Sequence, residues 1–242
     1  MLPVRIAVAG REQLLAELDV PLELPDLLAQ VTEPVRDWEV EIGFGKGRFL
    51  LEQARANPAC GFLGIEVVSK YYRHVRDRAA GDHLDNLVLL RGEARYLLAA
   101  VLPASFARSV HVYFPDPWPK SRHHERRLFD PESLDLVLRL LHPGGVLSFA
   151  TDFLDYGKLV GELLRAHPAL KVETAADLWG GRARTHYEDK YHREGREILR
   201  FEARVASCEN LFHPLGGRGV VAATTKPPEP PESVSRIVKS DG

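Results

Sequence analysis

The sequence predicts an α/β fold: a mostly parallel sheet with helices on both faces and an antiparallel final strand. Three observations carry that prediction. From Trp38 onward, short apolar runs alternate with amphipathic stretches at the spacing of βαβ units. A glycine-rich turn, Gly43-Phe44-Gly45-Lys46-Gly47, stands where the first run meets its helix. Two late runs, Lys171–Thr174 and Leu199–Val205, are able to pair as strands across a long polar segment.

The elements follow in order. Trp38–Gly43 reads as a strand, and Lys46–Arg55 as a helix with Phe49 and Leu50 on its inner face. Gly61–Val67, Leu87–Leu90 and Ser109–Phe114 are the next strands, with helices over Ser69–Ala79 and Ala94–Val101 between them. Pro131–Leu141 is a helix with Asp130 as its cap and Pro131 at its first position. His142-Pro143-Gly144-Gly145 ends it, Val146–Ala150 is a fifth strand, and Asp155–Ala166 is a further helix.

Ahead of this core, residues 1–36 are expected to form a lead-in on the outside of the main domain, which spans 37–206. The lead-in is read as helices around Arg11–Leu18 and Pro25–Val31, broken up by Pro21, Pro25 and Pro34. Residues 207–242 are expected to be an extension in which Leu211 and Phe212 dock weakly or not at all. From about residue 224 the stretch around Lys226-Pro227-Pro228-Glu229-Pro230-Pro231-Glu232 holds too few apolar side chains to fold by burial.

Composition narrows the function classes. A chain of 242 residues, 45% hydrophobic and 27% charged, is long enough for one sizeable core and ordinary for a soluble protein. The net charge of −2 offers no global attraction to nucleic acid, so any such binding must use local patches. Cys60 and Cys208 sit in unrelated contexts and make no metal-ligand pattern, and a reducing, cytoplasmic setting is expected. The N-terminal apolar run is too short for a signal-peptide core, and no stretch reaches the length of a membrane span. Monomer and homodimer both stay open.

The glycine turn separates three kinds of nucleotide site. A dinucleotide fingerprint requires a third glycine where Arg48 stands, with Gly47 one place early, and the G-K-[ST] of a P-loop is absent. What remains is an acidic residue, Glu41, followed by G-x-G-x-G, the pattern associated with S-adenosylmethionine. The chemistry agrees: that cofactor carries an ammonium and a sulfonium at one end, which an acidic strand end suits. Gly43 and Gly45 let the backbone approach the ligand. Glu66, roughly 20 residues on, is placed to accept from ribose hydroxyls, and Glu93 to address the adenine edge.

A second motif leaves the fourth predicted strand: Tyr113-Phe114-Pro115-Asp116-Pro117-Trp118-Pro119-Lys120. Its prolines fix φ and restrict the residues before them, so it is a stiff loop at the ligand-binding end of the sheet. A carboxylate, a flat aromatic and a cation held together suit a planar base. Ser121 to Arg127 follows, basic but for Glu125, and beside a base-sized site it reads as a phosphate contact. The plainer alternatives are a rigid connection with a solvated Asp116, and a charge cluster that is only a solvated face.

These motifs, with Gly64-Ile65-Glu66-Val67, Thr151-Asp152 and Thr185-His186-Tyr187-Glu188, resemble the bacterial tRNA (guanine-N7)-methyltransferases of the TrmB type. The resemblance runs from about Trp38 to Val205 and implies a Rossmann-like class I methyltransferase fold. It implies that Glu41, Gly43, Gly45, Glu66, Glu93 and Asp116 line an S-adenosyl-L-methionine site, with Asp116 also catalytic. It further implies that Lys120, Asp152, Thr185 and Glu188 hold a guanine of the tRNA variable loop. Arg122, His123, His124, Arg126 and Arg127 would meet the RNA. Two other classes remain beside it: an amino-methyltransferase acting on another base, and an RNA-binding module with a relic cofactor site. Asp152 could instead cap the following helix. Glu188 could instead pair with Lys190 or His192.

Overall fold

Because parallel strands are buried on both faces, most read as continuous apolar runs, whereas Trp38–Ile42 alternates apolar and acidic residues that are all buried. In the computed structural model, which describes residues 5–8, 11–14, 37–175 and 185–206, β3 (Asp37–Ile42) is buried at every position but its first, and β4 (Cys60–Glu66) at every position. β5 (Leu87–Arg91) and β6 (Ala107–Tyr113) lie parallel to them, and β7 (Leu141–Thr151) parallel to β6. β9 (Leu199–Val205) runs antiparallel between β7 and β8 (Leu170–Thr174). The predicted antiparallel final strand is therefore present.

With β1 (Arg5–Val8) and β2 (Arg11–Leu14), the sheet order among the described residues is β2-β1-β5-β4-β3-β6-β7-β9-β8. From β3 the chain winds outward first through β4 and β5, then on the other side through β6 and β7. The order thus reverses between β3 and β6, and a crevice opens above the carboxyl ends of the strands at that switch point.

Two strands correct the reading of the N-terminal segment. Arg5–Val8 is β1 and Arg11–Leu14 is β2, an antiparallel pair in which β1 also pairs with β5, so the predicted helix over Arg11–Leu18 does not form at its start. An unpaired sheet edge exposes a row of backbone donors and acceptors, and pairing with β5 satisfies them where a separate helix would not. Ala7, 1% exposed, packs into the core there. The helix predicted over Pro25–Val31 lies outside the described residues. So does the extension from residue 207.

The helices follow the apolar stripes. α1 (Arg48–Ala56) buries Phe49, Leu50, Leu51 and Ala54, and α2 (Ser69–Gly81) buries Tyr72, Val75 and Ala79, against one face of the sheet. α3 (Ala94–Ala100), α4 (Pro131–Leu140) and α5 (Leu154–Ala166) cover the other face, over Val40, Ile42, Val110 and Phe149. Asp130 caps α4 as predicted: its Oδ1 accepts from the Ser133 N–H at 2.9 Å, and Ser133 returns the bond. Phe149 sits fully buried among the rings of Phe129, Tyr156 and Phe201, a position where truncation to Ala costs about 3–5 kcal/mol.

β7 starts earlier than the Pro-Gly-Gly signal implies. Leu141 already pairs with Ala107, and a register shift beside Ser109 absorbs the intervening residues before Val146 resumes the ladder. The long polar segment before β9 contains α6 (His186–Arg193), a helix the apolar pattern did not announce, because Glu188 is its one buried residue.

Candidate active site

Along β3 the side chains alternate, so Val40 and Ile42 enter one core while Glu39 and Glu41 face the α1 side. Glu39 is fully satisfied: Arg108 donates to its Oε1 at 2.5 Å and 3.1 Å, and His111 Nε2 lies 2.8 Å from its Oε2. His111 Nδ1 in turn meets the Tyr113 hydroxyl at 2.8 Å. Glu41, two residues on, is 4% exposed, and its Oε2 has no hydrogen-bond partner. Burial, and then the charge of Glu66, pushes its carboxyl up to about 8, against a smaller opposing effect of the Leu50 backbone N–H.

The turn after β3 is built from left-handed glycines. Gly43 (φ 77°) and Gly45 (φ 54°) have open space where a Cβ would project, so their backbone faces a void. Glu66 reaches back across the turn. Its Oε2 accepts from the Gly45 N–H at 2.9 Å and its Oε1 from the Val68 N–H at 2.8 Å. Desolvation nonetheless outweighs these bonds, and its carboxyl stays above the usual range. Glu93 caps α3, accepting from the backbone N–H of Arg95 and Tyr96 at 3.1 Å and 2.8 Å.

The proline loop after β6 is strained. Phe114 (φ 51°) and Trp118 (φ 42°) both adopt left-handed backbone, and each precedes a proline, which denies it the right-handed helical region. Such residues cost about 1–3 kcal/mol each and gather at functional sites. The strain is held from below. Arg127 is 7% exposed, donates from Nε to the Pro117 carbonyl at 2.8 Å and from Nη2 to His124 Nε2 at 3.0 Å, and its guanidinium lies 4.8 Å from the centre of the Tyr156 ring. Arg127, predicted to meet the RNA with its neighbours, is thus buried and bonded to the loop. Arg122 and Arg126 are exposed on the 3-10 turn Ser121–Arg126, with His124 exposed and His123 half-buried beside them. The Arg126 guanidinium lies 5.0 Å over Trp118, whose edge meets His123.

Two adjoining cavities open at the switch point. The larger, about 370 Å³, gathers Gly43, Gly45, Glu66, Glu93, Asp116 and Trp118. The smaller, about 220 Å³, is lined by Glu41, Lys46, Thr185 and Lys190 among others. A still larger hollow of about 510 Å³ lies beside α5, lined by His124, Arg127, Asp130, Leu159 and Leu163 among others, and it receives none of the strand-end carboxylates.

The remaining predicted residues lie around this pair. Thr185 caps α6, its hydroxyl accepting from the Glu188 N–H at 3.0 Å. Glu188, 2% exposed, accepts from Arg200 at 2.5 Å through Oε1, while its Oε2 is buried without a partner. Its partner is thus on β9, not the Lys190 or His192 of its own helix. Asp152 accepts from Arg196 at 2.9 Å and does not cap α5, whose first turn is closed by no side chain. Lys120 is exposed, and neither it, Asp152 nor Glu188 lines either cavity.

The comparison with known proteins agrees with this geometry. A family model described as "Putative methyltransferase" matches residues 36–201. The tRNA (guanine-N(7)-)-methyltransferase of Nitrosococcus oceani is 38% identical over 189 residues, 77% of this chain and 78% of that protein. That of Rhizobium meliloti is 36% identical over 196 residues, 78% of this chain and 84% of that protein. The chain belongs to the bacterial tRNA (guanine-N7)-methyltransferase family. The fold is shared more widely. The structure of a 16S rRNA (adenine(1408)-N(1))-methyltransferase from Catenulisporales acidiphilia, with cosubstrate SAM, superposes with a TM-score of 0.56 at 18% identity, covering 86% of this chain and 99% of that one. The aminoglycoside resistance methyltransferase NpmB1 gives 0.51 at 22% identity, over 83% of this chain and 99% of that one.

The methyltransferase's own residues fit S-adenosyl-L-methionine. Glu41 is a buried carboxyl with an unpartnered oxygen, a place for the cofactor's ammonium. The open space over Gly43 and Gly45 is room that any side chain would fill. Glu66 and Glu93 stand in the larger cavity with acceptor capacity beyond their backbone bonds. Sequence reasoning overlooked Tyr71 and Tyr187, which with Gly43 line both cavities. Tyr187 lay inside the quoted Thr-x-Tyr-Glu motif, but its role depends on where α6 docks. Among the described residues no helix is long and apolar enough to cross a membrane.

Proposed function

We propose that this chain methylates N7 of a guanine in tRNA, the variable-loop guanine by family resemblance, using S-adenosyl-L-methionine. The observation that carries the reading is one cavity of about 370 Å³ joining the cofactor carboxylate Glu66 and the glycine turn to Asp116 of the strained proline loop. When bound, the cofactor supplies an electrophilic methyl group on a sulfonium. Guanine N7 has an in-plane lone pair and no proton to lose, so the protein's task is alignment rather than base catalysis. Asp116 is the catalytic residue in this reading, its carboxylate stabilising the positive charge that the base gains.

Asp152, Thr185, Glu188 and Lys120 are assigned to the guanine. The buried, unpartnered Oε2 of Glu188 supports its part, since an ionised carboxylate only accepts and guanine offers N1–H and N2–H₂. Adenine lacks that donor edge and would leave the acceptor unpaired, at about 1–3 kcal/mol. Arg122 and Arg126, with His123 and His124, are assigned to the RNA backbone. The test is incubation with labelled S-adenosylmethionine and unmodified bulk tRNA, followed by nucleoside analysis. The label is expected in 7-methylguanosine, and label on adenine, or on protein alone, would overturn the assignment.

A further inference from the structure

Two residues expected to bind opposite ends of one cofactor lie in different cavities: Glu66 in the larger, Glu41 in the smaller. If Glu66 takes the ribose and Glu41 the ammonium, the atom joining those two parts of S-adenosylmethionine, its sulfonium, falls at the junction. Gly43, Tyr71 and Tyr187 line both cavities, so the junction is walled by backbone and aromatic rings. No cationic or carboxylate side chain is common to the two linings.

Tyr187 is the ring most firmly tied to the reacting side. Its centroid lies 6.1 Å from that of Phe114, the strained residue that starts the proline loop, and 5.8 Å from Tyr191 at an interplanar angle of 28°. Tyr191 is itself fixed by Phe114 at 5.4 Å and by the Arg196 guanidinium at 4.6 Å. α6 is clamped at three points: Glu188 to Arg200 of β9, Asp189 to Arg48 of α1, and Tyr191 beneath Arg196, which also holds Asp152. A surface aromatic, 42% exposed, is thereby held where it lines both cavities. Burial, and after it Tyr71, Asp116 and Glu66, hold its phenol above the ordinary range.

We infer that Tyr187 is the cation-accepting wall of the reaction centre, its π face stabilising the positive charge as it passes from the sulfonium to the base. In the transfer the S–CH₃ bond breaks with its electron pair left on sulfur, and the N7 lone pair forms the new bond to carbon. One unit of positive charge moves from sulfur to guanine, and no proton moves. A ring quadrupole beside that path attracts the charge at both ends, which a fixed cation would repel. Tyr187 is thus a positioning and electrostatic residue, additional to Asp116. The inference rests on the cofactor reading above.

The experiment compares two ligands that differ in this charge, S-adenosylmethionine and its neutral product S-adenosylhomocysteine. Calorimetry on the full chain gives their affinity ratio for the unaltered protein, Tyr187→Phe and Tyr187→Leu. Tyr187→Leu is expected to weaken S-adenosylmethionine by about 2- to 30-fold relative to S-adenosylhomocysteine, while Tyr187→Phe, which keeps the ring, stays within about twofold of the unaltered ratio. Equal weakening of both ligands marks a merely structural role and overturns the inference. An unchanged ratio in Tyr187→Leu, or a ratio lost instead in Tyr71→Leu, does the same. Failure of the unaltered protein to bind S-adenosylmethionine at all overturns the cofactor reading itself, a result recognisably different from these.

Discussion

Replacing Arg127 with Ala separates the arginine that holds the proline loop from the one proposed to meet RNA. The substitution removes a charge-assisted hydrogen bond to the Pro117 carbonyl, worth about 1.5–3 kcal/mol. It also removes the contact with the Tyr156 ring, worth about 0.5–2 kcal/mol. The two share one guanidinium whose burial is itself unfavourable, so they do not simply add, and a net loss of about 2–4 kcal/mol is expected. At roughly 2–4 °C per kcal/mol for a chain of this size, the melting temperature falls by about 5–15 °C. The paired measurement is tRNA binding as a function of salt. Each lost phosphate contact lowers the log–log slope by about one unit, so Arg126→Ala flattens it while Arg127→Ala leaves it unchanged. Arg126→Ala, on an exposed side chain, leaves the melting temperature within about 1–2 °C of the unaltered protein. An Arg127→Ala protein that melts normally and binds tRNA with a flattened slope would refute the structural role of this residue.

Glu41, raised to about 8, binds a proton in the fold between roughly pH 4.5 and 8 where the unfolded chain has lost it, so the ligand-free protein loses stability as pH rises through that window. Chemical denaturation across pH 5–8 should show Glu41→Gln losing less stability than the unaltered protein, by a few kcal/mol at the upper end. Parallel curves would count against a protonated Glu41. Glu188→Ala strips the partner from Arg200, whose side chain is 16% exposed, and is expected to cost about 2–4 kcal/mol. Removing Arg200 as well should recover part of that loss in a double-mutant cycle, and simple additivity would argue against the pair. Asp116→Asn keeps the shape of the loop but not its charge. Single-turnover methyl transfer at saturating cofactor should slow by about 10²- to 10³-fold, and a rate within tenfold of normal would remove Asp116 from the chemistry.

Much of the site is legible in the chain because its signals are local. The turn at Gly43-Phe44-Gly45 requires left-handed backbone, which glycine announces wherever it stands. Glu41 and Glu66 stand at the ends of β3 and β4 and Glu93 just past the end of β5, and a parallel strand places its last residues at the ligand edge whatever its neighbours are. The capping of α4 by Asp130 and Ser133 is likewise decided within four residues. These features, with the proline loop, determine a doubly wound sheet and a methyl-donor site from sequence alone.

What the tertiary structure decided are matters of partnership between distant segments, which leave no periodic trace. Arg11–Leu14 is a strand because β1 covers the open edge of β5, and neither segment's own composition states that pairing. Arg126 and Arg127 are adjacent and chemically identical, yet one is exposed beside Trp118 and the other buried between Pro117 and Tyr156. Glu188 and Asp152 took arginines of β9 and the α6–β9 connection, not the neighbours their sequence offered. α6, polar nearly all round, is held by ion pairs to α1 and β9 instead of by an apolar stripe, and its docking brings Tyr187 to the junction of the two cavities. A side chain's charge and shape are written at its own position, but its burial and its partners depend on which other elements the fold brings against it.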